Sequence, residues 1–125
     1  MDNTKKILIV EDEQDARTLY LDILSGNGYT VVGAADGLEA LNVLSKSHFN
    51  LVLLDIIMPN KDGVETLKDI TTNPDKYGKP IVYMLTNIGS DIAIEKAISL
   101  GAAGYVLKSD TAPEELVTLV KKILG

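Results

Sequence analysis

The stretch Leu51–Gly63, LVLLDIIMPNKDG, places a carboxylate, Asp55, directly after four aliphatic residues and before a Lys-Asp-Gly turn. A continuous apolar run of this length predicts a strand buried on both faces, as in a parallel sheet covered by helices. An acid at the end of such a strand is either a cap or turn residue, or a reactive group held at the edge of the sheet. The rest of the chain decides between these roles.

The overall composition predicts one domain, residues 1–125, with a single compact core. Hydrophobic residues make up 46% of the chain and charged residues 24%, which is ordinary for a soluble globular protein. There are no cysteines, which excludes disulfides and thiolate metal sites and fits a reducing compartment, so we expect a cytoplasmic protein. No apolar run approaches the ~20 residues of a membrane span, so membrane insertion is not expected.

The charge balance is acidic, with a formal net charge of −6. The chain therefore lacks the basic surface that supplies most non-specific affinity for nucleic acid, and we expect no direct nucleic-acid binding. An excess of acids also favours a clustered acidic site that holds a cation.

Short β-rich runs alternate with apolar residues at helical spacing along the whole chain. The last helix is predicted to open with a capping box of Thr111 and Glu114 around Pro113, and the segment NPDKYGKP is predicted to form turns. Each predicted strand is followed by a helix, and the five strands are Lys6–Val10, Thr30–Ala35, Leu51–Leu54, Pro80–Leu85 and Gly104–Leu107.

Five such units predict an α/β fold, a flavodoxin-like doubly wound five-stranded parallel sheet in the order 2-1-3-4-5 with five helices. In sheets of this kind, ligands bind beyond the carboxyl ends of the strands, at the switch point between strands 1 and 3. The residues that follow each strand are therefore the first candidates for a functional site.

Polar residues stand at this edge after four of the five strands. Three carboxylates at one edge repel each other, and a divalent cation with oxygen ligands relieves that repulsion, with Mg²⁺ the best match. Each residue alone has an ordinary structural explanation as a helix-start acid, a turn residue or a solvated lysine, and only their joint placement favours function. The set is Glu11, Asp12, Asp55, Thr86 and Lys108.

Other polar or special residues are given structural roles. Glu13 favours the N-terminus of the first helix, and Met58-Pro59 is a rigid loop element. Asp62-Gly63 is predicted to be a turn and helix start, and His48 a surface residue.

Four segments, ILIVEDE, LLDIIMPNKDG, MLTN and GYVLK, appear in an order and spacing that resembles a response-regulator receiver domain over essentially the whole chain. The resemblance implies that Asp55 is the phosphoacceptor. It also implies that Glu11 and Asp12 hold Mg²⁺ together with Asp55 and the backbone carbonyl of Ile57.

The same resemblance implies that Thr86 and Lys108 contact the phosphoryl group and that Tyr105 is a switch aromatic. The expected function is acceptance of a phosphoryl group from a partner histidine kinase or phosphotransfer protein, in two-component signalling. Phosphorylation would pull Thr86 inward, let Tyr105 turn into the vacated space, and reshape the face made by the fourth helix, fifth strand and fifth helix. That face would bind a downstream protein or output domain, and a phosphorylation-dependent dimer is compatible with it. The domain would act only on itself and is not expected to be an enzyme.

Three features depart from the family pattern. Ile57 and Ile88 stand where many members carry polar side chains, and apolar groups cannot orient a hydrolytic water, so we predict slow loss of the phosphoryl group. Asn87 is larger than the residue usually found and is expected to narrow access to the site. Ser109 follows Lys108 in place of proline, so we expect either a trans peptide with a re-routed loop or a strained cis one.

Three alternatives stay open at this point. The chain can be the receiver of a longer DNA-binding or enzymatic regulator, or a degenerate receiver that only binds partners. A haloacid-dehalogenase-like Mg²⁺-dependent phosphatase also uses an Asp nucleophile on a parallel sheet, but it needs an Asp-x-Asp motif, and position 57 is Ile here.

Overall fold

The computed structural model describes residues 4–87 and 91–125. Its five strands are β1 (Lys6–Val10), β2 (Thr30–Ala34), β3 (Leu51–Asp55), β4 (Ile81–Thr86) and β5 (Gly104–Leu107). Its helices are α1 (Gln14–Ser25), α2 (Gly37–Lys46), α3 (Gly63–Thr72), the short α4 (Pro74–Tyr77), α5 (Asp91–Ser99) and α6 (Pro113–Leu124). Within the described ranges, no helix has the length and apolar character needed to cross a bilayer.

The five strands form one parallel sheet in the order β2-β1-β3-β4-β5, which confirms the predicted fold class and strand order. Two strands run one residue further than predicted, because the parallel ladder continues to Asp55, paired with Leu85, and to Thr86, paired with Leu107. The acid and the hydroxyl are therefore the last residues of their strands, and the ladder itself fixes their backbones.

Alternate residues of the central strands pack into two separate cores, one on each face of the sheet. On one face Leu8, Val52 and Met84 meet side chains of α2, α3 and α5, including Leu41, Leu67 and Ala97. On the other face Ile9, Leu53 and Val106 meet α1 and α6 through Tyr20, Leu24, Leu116 and Val120. Because both faces are covered, the central strands are apolar at every position rather than at every second one.

The structure corrects three boundaries. NPDKYGKP contains the one-turn helix α4 beside its turns, with Pro74 at the first helical position, where its missing N–H costs nothing. β4 begins at Ile81 rather than Pro80, because proline has no N–H to donate to the ladder. β2 ends at Ala34 rather than Ala35, whose N–H donates instead to the side chain of Glu39 at 3.1 Å.

The predicted capping box of α6 is wrong by one residue. The helix begins at Pro113, and Ala112 before it is extended, because proline disfavours the helical region for the preceding residue. Glu115, rather than Glu114, reaches back to accept the Ala112 N–H at 3.0 Å. Thr111 consequently lies outside the cap.

Candidate functional site

The carboxyl ends of four strands bring the predicted polar residues together. Glu11 directly follows β1, and its N–H donates to the Ala34 carbonyl at 3.0 Å, which extends the pairing with β2 by one step. Lys108 directly follows β5 and opens a 3-10 turn that ends at Asp110. An open pocket of about 210 Å³ is lined by Glu11, Asp12, Glu13, Asp55, Ile57, Thr86, Asn87 and Lys108.

Lys108 joins two of the acids. Its Nζ donates to Glu11 Oε1 at 2.5 Å and to Asp55 Oδ2 at 2.9 Å, and the three side chains are only 10%, 1% and 8% exposed. Burial by itself would lower the pKa of Lys108, but the hydrogen bonds and charges of Glu11 and Asp55 together raise that pKa above the ordinary lysine value. The ammonium is therefore a permanent positive charge near neutral pH.

A third acid completes an oxygen cluster. Glu11, Asp12 and Asp55 each present a carboxylate oxygen, and these oxygens lie within 4.8 Å of one another, with Asp12 exposed to solvent. Three carboxylates and one ammonium leave the cluster two negative charges in excess. A hard divalent cation that accepts one or two carboxylates and keeps several waters, such as Mg²⁺, fits this donor set and the open pocket.

The loop after Asp55 is tightly held. The Gly63 N–H donates to the Ile56 carbonyl at 2.8 Å, and a Cβ on Gly63 would lie 2.0 Å from the Asp55 carbonyl oxygen, so only glycine permits this approach of α3 to β3. Asp62 caps α3 by accepting the Glu65 N–H at 2.8 Å. The prediction of a turn and helix start at Asp62-Gly63 is confirmed.

Within that loop, neighbouring side chains point to different surroundings. Met58 is buried in the core, whereas the Ile57 side chain lines the pocket and is 67% exposed. Asn87 is also exposed at the pocket, next to the buried Thr86. Ile88, predicted to flank the same path, lies outside the described residues.

Tyr105 lies near the pocket but does not line it. In the β4–β5 ladder Tyr105 pairs with Met84 and Leu107 pairs with Thr86, so Tyr105 and Thr86 project from the same face of the sheet, two residues apart along it. Tyr105 is 49% exposed and so is turned outward. The Lys108–Ser109 peptide is trans, the first of the two geometries expected for it.

Sequence reasoning missed two polar residues beside the site. Asn60 adopts a φ of 67° and donates from Nδ2 to Asp36 Oδ2 at 2.7 Å, which ties the loop after β3 to the start of α2. An Asn before the Lys-Asp-Gly turn was the available signal, because Asn tolerates positive φ. Arg17 of α1 donates to the backbone of the loop after β1. His48, predicted to be a surface residue, is exposed and does not line the pocket.

Known proteins share this architecture and this sequence pattern. Residues 7–121 match the family described as "Response regulator receiver domain". The chain belongs to the response-regulator receiver family. A solved structure of the Vibrio cholerae chemotaxis protein CheY4 is similar to this receiver domain with a TM-score of 0.87 and 30% identity, covering 96% of this chain and 98% of that one.

Curated relatives of this receiver domain are longer proteins. It is 40% identical over 122 residues to "Probable transcriptional regulator ycf27" of Cyanophora paradoxa, covering 98% of this chain and 49% of that protein. It is 36% identical over 119 residues to "Transcriptional regulatory protein CpxR" of Escherichia coli strain K12, covering 95% of this chain and 49% of that protein. The chain thus spans about half the length of these relatives.

Proposed function

We propose that residues 1–125 form a single phosphoacceptor receiver domain, in which Asp55 accepts a phosphoryl group from a histidine kinase or phosphotransfer protein in the cytoplasm. The observation that carries the proposal is the setting of Asp55. Its carboxylate ends a fully buried strand, lies 2.9 Å from the Lys108 ammonium and opens onto a pocket where Glu11 and Asp12 complete its oxygen cluster.

In the proposed step, a carboxylate oxygen of Asp55 attacks the phosphorus of a phosphohistidine in line with the bond that breaks. The new bond joins phosphorus to the Asp55 oxygen, and the electron pair of the broken P–N bond leaves with the imidazole of the donor. The attacking group in this step is a carboxylate with no proton to remove, so the step needs no general base. Mg²⁺ held by Glu11, Asp12, Asp55 and the Ile57 carbonyl would neutralise charge on the transferring oxygens.

Lys108 and Thr86 supply the remaining stabilisation in this proposal. The Lys108 ammonium, held within hydrogen-bonding distance of Asp55, pairs with one oxygen of the transferred group, and the Thr86 hydroxyl donates to another. The domain modifies only its own side chain, so we propose a signalling role and not an enzymatic one.

The test uses Mg²⁺ and a small phosphodonor such as acetyl phosphate, with intact-mass measurement of the product. We expect one acid-stable, base-labile phosphoryl adduct on the wild-type chain and none on Asp55→Asn. Asp36→Asn is the matched control, since Asp36 is an acid at the same edge of the sheet outside the pocket, and it should keep the adduct. The absence of an adduct on the wild-type chain would refute the proposal.

The proposed switch follows from the shared face of Thr86 and Tyr105. A phosphoryl group on Asp55 would draw the Thr86 hydroxyl toward it, and Tyr105 would turn from its exposed position into the space that Thr86 leaves. The face formed by α5, β5 and α6 would then change shape for a downstream partner. A Tyr105 side chain that keeps one rotamer with and without a beryllofluoride phosphoryl mimic would contradict this part of the proposal.

A second proposal concerns the protein in which the domain works. The curated relatives are about twice as long and are described as transcriptional regulators, so we propose that this receiver controls a DNA-binding output domain. The net charge of −6 fits a domain that regulates DNA binding without itself contacting DNA. If control works through dimerisation, phosphorylation of the isolated domain should increase its mass in light scattering, and a strictly monomeric phosphorylated form would favour a stand-alone regulator that docks to a partner protein.

A further inference from the structure

We propose that Arg17 is a positioning residue, whose guanidinium fixes the loop that carries Glu11 and Asp12 and thereby prepares their carboxylates for the cation. This inference rests on the proposed function, since it concerns the cation site that serves Asp55. Neither the family resemblance nor the predicted site residues included Arg17, which is the only arginine in the chain.

Arg17 holds the loop through its backbone oxygens. Its Nη1 donates to the Glu11 carbonyl at 2.8 Å and lies 3.5 Å from the Asp12 carbonyl. Although acids surround it in sequence, Arg17 forms no ion pair with a carboxylate in the part of the chain that the structure describes. Arg17 therefore holds the backbone of the loop, and it does not occupy the carboxylates of Glu11 and Asp12 that line the pocket.

Gly33 of β2 makes this contact possible. A Cβ at Gly33 would lie 3.1 Å from Cδ and 3.2 Å from Cγ of Arg17, which is tighter than ordinary van der Waals contact. The aliphatic stem of Arg17 thus packs against Gly33, in the groove that the missing side chain leaves. Gly33 has an ordinary negative φ, so the backbone conformation does not require a glycine here. The close approach of the Arg17 stem is what favours glycine at this position.

With Arg17 in place, every polar group of Glu11 has a partner. Its N–H donates to Ala34, its carbonyl accepts from Arg17, and its two carboxylate oxygens accept from Lys108 and from the Glu13 N–H at 3.3 Å. Asp12 is exposed, and within residues 4–87 and 91–125 the long Arg17 contact to its carbonyl is the one hydrogen bond that restrains it. Loss of the guanidinium would release this loop at the residues proposed to bind the cation.

A positioning role and a purely electrostatic effect of Arg17 predict opposite changes in Mg²⁺ affinity when the residue is removed, which makes the inference testable. Removing a positive charge close to a cation site should tighten cation binding by Coulomb's law. Removing a residue that orients the ligands should weaken it, by roughly tenfold for supporting residues around metal sites. The sign of the change in Mg²⁺ affinity therefore separates the two explanations.

The experiment is a Mg²⁺ titration of the unphosphorylated protein, followed by amide chemical shifts of residues 11–13. Arg17→Ala is expected to raise the Mg²⁺ dissociation constant roughly tenfold. Arg17→Lys keeps the charge but loses the planar fork of donors, so it should also bind Mg²⁺ more weakly than wild type. Lys46→Ala, which removes an exposed positive charge from the last turn of α2, is the control and should leave the affinity unchanged.

Gly33→Ala gives a second, independent arm. It leaves the guanidinium in the chain but crowds its stem, so it should weaken Mg²⁺ binding less than Arg17→Ala does. In a protein that carries both substitutions, Gly33→Ala should cause no further loss of Mg²⁺ affinity beyond that of Arg17→Ala, because its effect acts only through Arg17. Additive effects of the two substitutions would overturn the role of the groove. If Arg17→Ala does not fold, Arg17→Lys and Gly33→Ala decide the question.

A metal-free readout completes the design. Amide hydrogen exchange at Glu13, whose N–H bonds to Glu11, should be faster in Arg17→Ala without Mg²⁺. Unchanged or tighter Mg²⁺ binding in folded Arg17→Ala would overturn the inference. Neither readout requires phosphorylation, so failure of the proposed function shows as a missing adduct on Asp55 while failure of this inference shows in Mg²⁺ affinity.

Discussion

Two lysines at opposite edges of the sheet differ in the charge of the groups that they contact. Lys6 begins β1 at the amino edge, where its ammonium donates to the Ser47 hydroxyl and lies 4.7 Å from the centre of the Phe49 ring. Lys108 follows β5 at the carboxyl edge, where its partners are the carboxylates of Glu11 and Asp55. Both partners of Lys6 are neutral, so these contacts bring no carboxylate to its ammonium.

The carboxyl edge is different because it gathers more carboxylates than cations. With Asp12 beside them, the three acids outnumber the ammonium, and the pocket around them stays open. In the proposed function this excess of carboxylates binds the cation that assists phosphoryl transfer, whereas the contacts of Lys6 with neutral groups stabilise the fold.

The largest expected effect is from Lys108→Met. The substitution leaves Glu11 and Asp55 buried without their cation, which should lower the free energy of unfolding by about 3 kcal/mol. Added Mg²⁺ should restore more stability to Lys108→Met than to wild type, because the metal replaces the missing positive charge. Urea unfolding without and with Mg²⁺ measures the lost free energy of unfolding and the part that the metal restores. If Lys108→Met loses no more stability than the Lys6 variant described below, the contrast between the two edges is contradicted.

A smaller effect is expected when two apolar side chains predicted to flank the path of the attacking water are replaced with polar ones. Ile57→Asn combined with Ile88→Glu should speed loss of the phosphoryl group roughly tenfold, equivalent to about 1.4 kcal/mol of barrier, because polar groups can orient the attacking water. The rate is followed by loss of the intact-mass adduct after the donor is removed. The control is Leu38→Asn, which changes an exposed apolar residue outside the pocket. An unchanged rate in the Ile57→Asn, Ile88→Glu variant would contradict the role given to the two isoleucines.

At the amino edge we expect a purely structural response. Lys6→Met removes one hydrogen bond and one cation–π contact and should cost about 1 kcal/mol of unfolding free energy. Neither the Mg²⁺ affinity nor the yield of the phosphoryl adduct should change. A loss of either in Lys6→Met would mean that the two edges are not independent.

The smallest effect tests an acid at the carboxyl edge whose partners are neutral. The Glu39 N–H and then the Asn60 amide hold the pKa of Asp36 below its usual value. Because the folded pKa is the lower one, the stability that the charge contributes is present above the unfolded pKa and is lost as pH falls through the folded value. At neutral pH the free energy of unfolding of the wild type should exceed that of Asp36→Asn by only a few tenths of a kcal/mol, because solvent screens this charge.

The pH dependence of that difference is the measurement. It should shrink as the pH falls from about 4, the ordinary aspartate value at which the unfolded chain takes up protons, toward the lower pKa of folded Asp36. A difference between wild type and Asp36→Asn that stays constant to pH values well below this range would contradict the role given to its charge. Mg²⁺ affinity should be the same in both proteins.

The sequence predicted the sheet and the site edge because both depend on local patterns. Four- and five-residue apolar runs such as ILIV and LVLL are strand signals, and the parallel order follows from the repeated strand–helix alternation. Asp55 and Lys108 were identifiable because they follow such runs directly. Their pairing at 2.9 Å then follows from strand ends that meet at one edge.

The features that sequence reasoning missed depend on contacts between distant segments or on single-residue geometry. The stem of Arg17, on α1, packs against Gly33 of β2, a residue distant in sequence, on its way to the loop carbonyls. The cap of α6 moved from Thr111 to Ala112 because the restriction imposed by Pro113 outweighs the capping preference of threonine. Composition and spacing carry no signal strong enough to decide such cases.

The central claim is that Asp55 is the single acceptor at the carboxyl edge, and mapping the modified residue tests it most directly. The chain is phosphorylated with acetyl phosphate and Mg²⁺, then treated with borohydride, which reduces an acyl phosphate and leaves unmodified carboxylates intact. Peptide mass spectrometry should find homoserine in place of aspartate at position 55 alone, and only when Mg²⁺ was present. Reduction at Glu11, Asp12 or any other acid, with Asp55 unchanged, would contradict the account.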